Sequence, residues 1–301
     1  MAPAVNLPSG FRSRPLTLED VDEVVAMVNR CEVADSGETM WERADLLSDI
    51  SAGGVDLEND WVGVFDRNGC VGWVLFLRPW RAWADVDPRA RGRGIGSELR
   101  SWSEDRARAL ESTRVGQVID DRRTDVSDML RGAGYESLYA SWILRMDHPE
   151  RPEPPELPDG VEIRTYRPEQ ETELLTMFEN AFREFEGRMP STIDAWVAMT
   201  VHREGFRPED MIVAADGDRV VGGAFLLEAD GGIWVDKFAV HGDYRHRGIA
   251  RAMLRTAFRR SYELGSSYTE LNTDSRTGAL PFYERIGMHV RSSYTNWALD
   301  L

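Results

Sequence analysis

The chain has 301 residues, 42% of them hydrophobic and 10% aromatic, and a formal net charge of −16 at pH 7. That is apolar material for two cores of ordinary domain size, and it excludes a disordered or fibrous chain. The acidic balance excludes nucleic acid as a partner, because phosphate binding needs clustered Lys and Arg; it suits a cationic small molecule, and it also serves solubility.

Two cysteines, Cys31 and Cys70, are too few for a disulfide framework. The first residues lack an apolar core of signal-peptide length. The longest apolar stretch, Val71 to Leu77, is far too short to span a bilayer, so the expectation is a cytoplasmic protein with no membrane partner. Oligomeric state is not legible.

In chain order, a strand is expected over Phe11 to Pro15, a helix over Leu18 to Asn29 and a second helix over Trp41 to Ile50. Strands rich in Val, Trp and Phe follow over Trp61 to Phe65 and Cys70 to Leu77. A strand ending at Val86 then enters a Gly-containing turn and an amphipathic helix over Ile95 to Leu110. One more strand, helix and terminal strand close this half. Asp147 to Gly160 holds five prolines among charges, which reads as a stiff, exposed linker.

The order then repeats. A strand over Val161 to Tyr166 precedes helices over Pro168 to Phe182 and Ser191 to His202, and strands over Met211 to Ala215 and Arg219 to Leu227. A strand ending at Val240 meets a turn and a helix over Ile249 to Leu264. Leu7-Pro-Ser-Gly10 matches Leu157-Pro-Asp-Gly160, and Arg91-Gly-Arg-Gly-Ile-Gly96 matches Arg245-His-Arg-Gly-Ile-Ala250. Gly134 matches Gly287, and Tyr139-Ala-Ser-Trp-Ile-Leu144 matches Tyr294-Thr-Asn-Trp-Ala-Leu299. Four landmarks in one order indicate a duplicated domain. The expected organisation is a first domain over 1–147, a linker over 148–159 and a second domain over 160–301. Each is an α/β domain with helices packed on a mixed (α+β) sheet.

The two turns are the most informative segments. Small residues at 248 and 250 leave backbone N–H groups uncovered at the positive end of a helix, which makes a site for a pyrophosphate. Neither turn carries a Walker Lys-Ser or Lys-Thr, and neither has Rossmann spacing. Arg245-x-x-Gly248-x-Ala250, after an apolar strand, resembles the acyl-CoA motif of the GCN5-related N-acetyltransferase family. Arg91-x-x-Gly94-x-Gly96 is a second copy. Leu271 to Met288 resembles the same family's downstream signature at Tyr283 and Gly287, with Ser275 where the family has Asn. The two-domain layout is similar to the mycothiol synthase-like tandem arrangement of that family.

The resemblance implies two tandem acyl-CoA N-acyltransferase folds, with acetyl-CoA or another short acyl-CoA as cofactor and no metal. It implies cofactor binding by Phe238, Ala239, Val240, Arg245, His246, Arg247, Gly248, Ile249, Ala250 and Ser275. In the first half the matching residues are Val86, Arg91, Gly92, Arg93, Gly94, Ile95 and Gly96. Expulsion of a thiolate calls for a proton donor, and Tyr283 is the expected general acid. Leu130 stands at that place in the first half, so the first domain reads as degenerate and the second as catalytic.

An amine of pKa near 10 must lose a proton. The family's usual Glu position holds Trp234, and Asp236, two residues on, shares its face of the strand; it is expected as base, relay or counter-ion. Counting places Ala82 at the matching first-half position, again without an acid. Both cysteines lie in the first half, so the second cannot form an acyl-cysteine, and direct attack in a ternary complex follows. His241 and His246 lack metal-like spacing. Glu184, Glu186 and Trp196 are expected near the substrate, although the two Glu side chains are somewhat better explained as solvated helix-end charges. The expected function is N-acetylation of a small-molecule amine. The alternatives are a non-catalytic acyl-CoA sensor or scaffold, and a protein-lysine acetyltransferase.

Overall fold

In the computed structural model, residues 5–39, 41–52, 54–183, 191–203, 205–229 and 231–301 are described. The chain divides into two compact units, Met1–Ala140 with Ser293–Leu301, and Ser141–Ser292. The first unit begins with β1 (Arg12–Pro15), α1 (Val21–Ser36), α2 (Arg43–Ala52) and a single turn, α3 (Leu57–Asp60). It continues through β2 (Trp61–Asp66), β3 (Gly69–Leu77), β4 (Arg81–Val86), α4 (Ile95–Ala109), β5 (Arg114–Asp120) and α5 (Thr124–Gly132). Next comes β6 (Glu136–Asp147). The second unit repeats the series as β7 (Val161–Thr165), α6 (Glu171–Phe182), α7 (Ile193–Met199), β8 (Met211–Asp216), β9 (Arg219–Ala229) and β10 (Gly232–Val240). It ends with α8 (Ile249–Glu263), β11 (Tyr268–Asp274), α9 (Leu280–Ile286) and β12 (His289–Asp300).

Each sheet is mixed, and each takes its last strand from the other half of the chain. In the first unit the order is β1-β2-β3-β4-β5-β12, with Tyr294↔Asp120 to Asp300↔Arg114 in antiparallel register. In the second it is β7-β8-β9-β10-β11-β6, with Tyr268↔Asp147 to Asp274↔Ser141. The exchanged strands reach both cores. Leu144 is fully buried in the second unit, and Trp297, 6% exposed, is buried in the first. Residues 148–159 form no regular element, as the prolines require. They are nevertheless held along α8, where Arg255 and Arg259 donate to the carbonyls of Pro154 and Pro152 and Arg151 pairs with Glu263.

Helices cover both faces of each sheet. In the first unit α1 and α2 bury Val24, Met27, Leu46 and Ile50 on one face, and α4 and α5 bury Ile95, Leu99 and Leu130 on the other. In the second unit α6 and α7 contribute Leu174, Phe178 and Trp196 to one face, while α8 and α9 contribute Met253, Phe258 and Tyr283 to the other. Among the described residues, no helix is long and apolar enough to cross a membrane.

Candidate active site

Between β10 and α8 the chain turns sharply. His246 (φ 64°) and Gly248 (φ 85°) both adopt left-handed backbone, with Arg247 between them. Alternation of this kind turns successive N–H groups toward one concavity. The first N–H that α8 satisfies is that of Ala252, on the carbonyl of Gly248 at 3.0 Å. The N–H groups before it are left for an outside acceptor, at the positive end of a 15-residue helix. The first unit builds the same turn with Gly92 (φ 72°) and Gly94 (φ 86°), and Glu98 N–H closes onto the Gly94 carbonyl at 3.2 Å. A proline backs each turn: a Cβ at Gly94 would lie 3.9 Å from Pro8, and one at Gly248 would lie 3.8 Å from Pro158.

Beside each turn the central parallel strands part. β10 pairs with β11 from Gly232↔Tyr268 to Val235↔Leu271 and no further, although both strands run on to Val240 and Asp274. The backbone of Phe238, Ala239 and Val240 therefore presents a strand edge without a partner strand on that side, able to bond an extended ligand chain. In the first unit β4 meets β5 only at Arg81↔Gly116 and then separates up to Val86.

A bulge sits where β10 leaves β11. Against β9, Val235 pairs with Leu226 and Lys237 with Phe225, so Asp236 is the extra residue. Ile233, Val235, Phe238 and Val240 all pack with the α8-side cluster. Asp236 and Lys237, lying between them, share the opposite face and pair at 2.7 Å. Trp234 lies on that face as well. β4 has no bulge: Ala82 faces Phe76 where Val235 faces Leu226, and it is thus the counterpart of Val235. The counting that matched Ala82 to Asp236 fails because an inserted residue shifts the strand by one; Asp236 has no counterpart in the first unit.

Tyr283, on α9, packs 6.4 Å from Phe238 and 5.2 Å from Phe282, ring to ring. Burial pushes its hydroxyl up to about 12, and that hydroxyl has no hydrogen-bond partner among the described residues. Tyr283 thus lies on the α8 face of β10, beside Phe238, and Asp236 lies on the opposite face. Ser275 sits in the turn after β11, in which Arg276 N–H donates to Asp274 at 2.9 Å and Thr277 Oγ1 donates to its carbonyl at 2.7 Å. Trp196 is 3% exposed inside the α6–α7 core, 6.3 Å from Phe178, and its indole N–H has no partner among the described residues. Glu184 and Glu186 lie outside the described residues.

In the first unit Arg91 is fully engaged. It holds Asp35 at 2.6 and 2.8 Å and donates to the Val86 carbonyl at 3.0 Å. Arg93 lies over the Phe11 ring at 5.9 Å. Ile95 is buried, and a Cβ on Gly96 would touch Met129 and Val86. Sequence reading missed Asp85, beside Val86 on β4, whose carboxylate accepts from Trp73 Nε1 at 2.9 Å. Its acidic place in an apolar strand was the available signal. Among the described residues no group of His, Cys, Asp or Glu is arranged to hold a metal ion.

Residues 207–288, which span the turn, the gap and Tyr283, match the family described as the acetyltransferase (GNAT) domain. A mycothiol acetyltransferase of Pseudarthrobacter chlorophenolicus is 24% identical over 227 residues, 72% of this chain and 67% of that one. A GCN5-related N-acetyltransferase from Sphaerobacter thermophilus superposes with a TM-score of 0.84 at 28% identity, covering 98% of this chain and 97% of its own. A tandem GNAT protein of the clavulanic acid biosynthesis pathway shares the fold at a TM-score of 0.76 and 14% identity, covering 96% of this chain and 98% of that one. Residues 207–288 thus carry an acetyltransferase (GNAT) domain, and the chain as a whole has the fold of these GCN5-related N-acetyltransferases, tandem ones among them.

Proposed function

We propose that this chain transfers an acetyl group, or another short acyl group, from acyl-CoA to a small-molecule amine by direct attack in a ternary complex at the second unit. The observation that carries this reading is the alignment of three features in that unit. These are an anion turn at His246–Ala250, an unpaired strand edge at Phe238–Val240, and a buried tyrosine whose hydroxyl is unbonded among the described residues. The pyrophosphate would lie on the N–H groups of Arg247 to Ala250, with Arg245 and Ser275 at its rim. The pantetheine chain would extend along the edge of β10.

The amine adds to the thioester carbon, and a strand N–H from Phe238 to Val240 stabilises the oxyanion. The C–S bond then breaks as the amine proton passes to Asp236, directly or through water. Tyr283 would hydrogen-bond the departing sulfur. With its pKa near 12 it is protonated at neutral pH, but full transfer to a thiolate of pKa about 8.5 is uphill by roughly 5 kcal/mol. Its contribution is therefore stabilisation of the thiolate by donation, with the final proton drawn from solvent. A covalent route is disfavoured: burial pushes Cys31 up to about 12 and Cys70 up to about 11, so both thiols are protonated at neutral pH. Likeness to a protein named mycothiol acetyltransferase favours a small acceptor over a protein lysine.

Initial-rate kinetics with thiol release as readout test the reading. Acetyl-CoA and a panel of small amines are expected to give intersecting double-reciprocal lines. Parallel lines would contradict direct attack. Turnover of lysine peptides with none on small amines would move the acceptor to protein.

A further inference from the structure

The face of the first unit's sheet that α1 and α2 cover carries a carboxylate with an unusual set of neighbours. β4 pairs with β3 without interruption from Gly72↔Val86 to Leu77↔Arg81, so Trp83 and Asp85, two apart, project from one face. Trp83 lies against the α1–α2 cluster, which fixes that face. Trp73 from β3 bonds Asp85 through its indole N–H at 2.9 Å. Trp41, just before α2, packs on both indoles, with ring centroids 5.4 Å from Trp73 and 5.0 Å from Trp83. Trp73 is closed off at 1% exposure, whereas Trp41, Trp83 and Asp85 keep accessible surface.

The indole N–H is the only hydrogen bond to the Asp85 carboxylate among the described residues. The two nearby cations are committed elsewhere. Arg91 makes a two-point pair with Asp35, and Arg123 holds Asp35 at 2.9 Å and Asp125 at 2.9 and 3.0 Å. A carboxylate crowded by protein and lacking a contacting cation is unfavourable unless it is neutral or a cation is supplied from outside. Burial raises its pKa accordingly. Indole faces beside a carboxylate are the chemistry that recognises organic ammonium ions.

We propose that this part of the first unit, where the accessible Trp41 and Trp83 indoles lie beside Asp85, binds a small organic ammonium ion. Asp85, held by the Trp73 N–H, is the counter-ion, and the accessible Trp41 and Trp83 indoles contribute cation–π contact. The site binds without transferring, because Leu130 stands where the second unit has Tyr283 and has no proton to donate. It is separate from the proposed second-unit site and does not depend on its activity.

The probes are tetramethylammonium and ethanolamine, titrated into the full chain and read by calorimetry and by indole fluorescence, with tert-butanol as the neutral shape control. Saturable binding is expected in roughly the millimolar range. Asp85→Asn, which keeps an acceptor for Trp73, is expected to weaken it about tenfold, and Trp83→Leu several-fold. Tyr283→Phe and Gly248→Glu in the second unit are expected to leave it unchanged. Thermal unfolding of each variant reports its fold; if Asp85→Asn fails to fold, Trp83→Leu and Trp83→Phe decide alone. No saturable binding of either cation, equal binding of tert-butanol, or binding untouched by the folded variants would overturn the proposal.

Discussion

Asp236 and Asp49 are carboxylates in opposite situations, and each makes a prediction. Asp236 occupies the bulge, beside the ammonium of Lys237, the chain's only lysine. If it receives the amine proton, Asp236→Asn lowers kcat about ten- to a hundredfold and removes the acidic limb of the pH–rate profile. A raised KM with the acidic limb intact would make it a counter-ion instead. Asp49, on α2, belongs to neither proposed site. Burial, with the charge of Asp45 adding, pushes it up to about 6. A carboxyl raised in the folded state stabilises the fold most below its unfolded pKa of about 4, and that stabilisation is lost as pH rises through 6. Asp49→Asn should therefore raise stability by roughly 1–3 kcal/mol at pH 7 and leave it unchanged below pH about 4. Chemical denaturation at the two pH values checks this, and an equal effect at both would refute the burial argument.

Among the elements, the exchanged strands matter most for experiment. β11 pairs with β6 from the first half of the chain, and β12 pairs with β5 of the first unit. A fragment of residues 160–301 would lack Leu144 and leave β11 with an open edge, while carrying a strand, with Trp297, that has lost its sheet. Such a fragment is expected to aggregate or associate, whereas residues 141–292 should fold with a cooperative transition. Sedimentation and thermal melts decide; a monomeric, cooperatively folding 160–301 would count against the exchange. The helices and hairpins were legible in the residues: α4 and α8 begin at Ile95 and Ile249, as the glycine turns predict. The exchange was not. Tyr139–Leu144 and Tyr294–Leu299 have nearly one pattern, so either could complete either sheet, and only tertiary packing chooses. The bulge was likewise hidden, because one inserted residue leaves the apolar alternation on both sides intact.

Across the molecule, duplication explains why the site was half legible. Glycine turns are backbone devices, and their residue types survive in both units, so both copies could be read directly. Acid–base and acceptor groups depend on which face a strand residue takes, and there counting misled at Ala82 and passed over Asp85. The two units thus share one scaffold and differ at the reacting centre proposed for the second, Tyr283 against Leu130 and Asp236 against no residue. The most direct test is thiol release by the full chain carrying Tyr283→Phe, Gly248→Glu or Gly94→Glu, each shown to be folded. Tyr283→Phe and Gly248→Glu should each remove at least about 99% of turnover, while Gly94→Glu retains most of it. Loss of turnover in folded Gly94→Glu, with activity kept in the other two, would place the chemistry in the first unit and contradict this account.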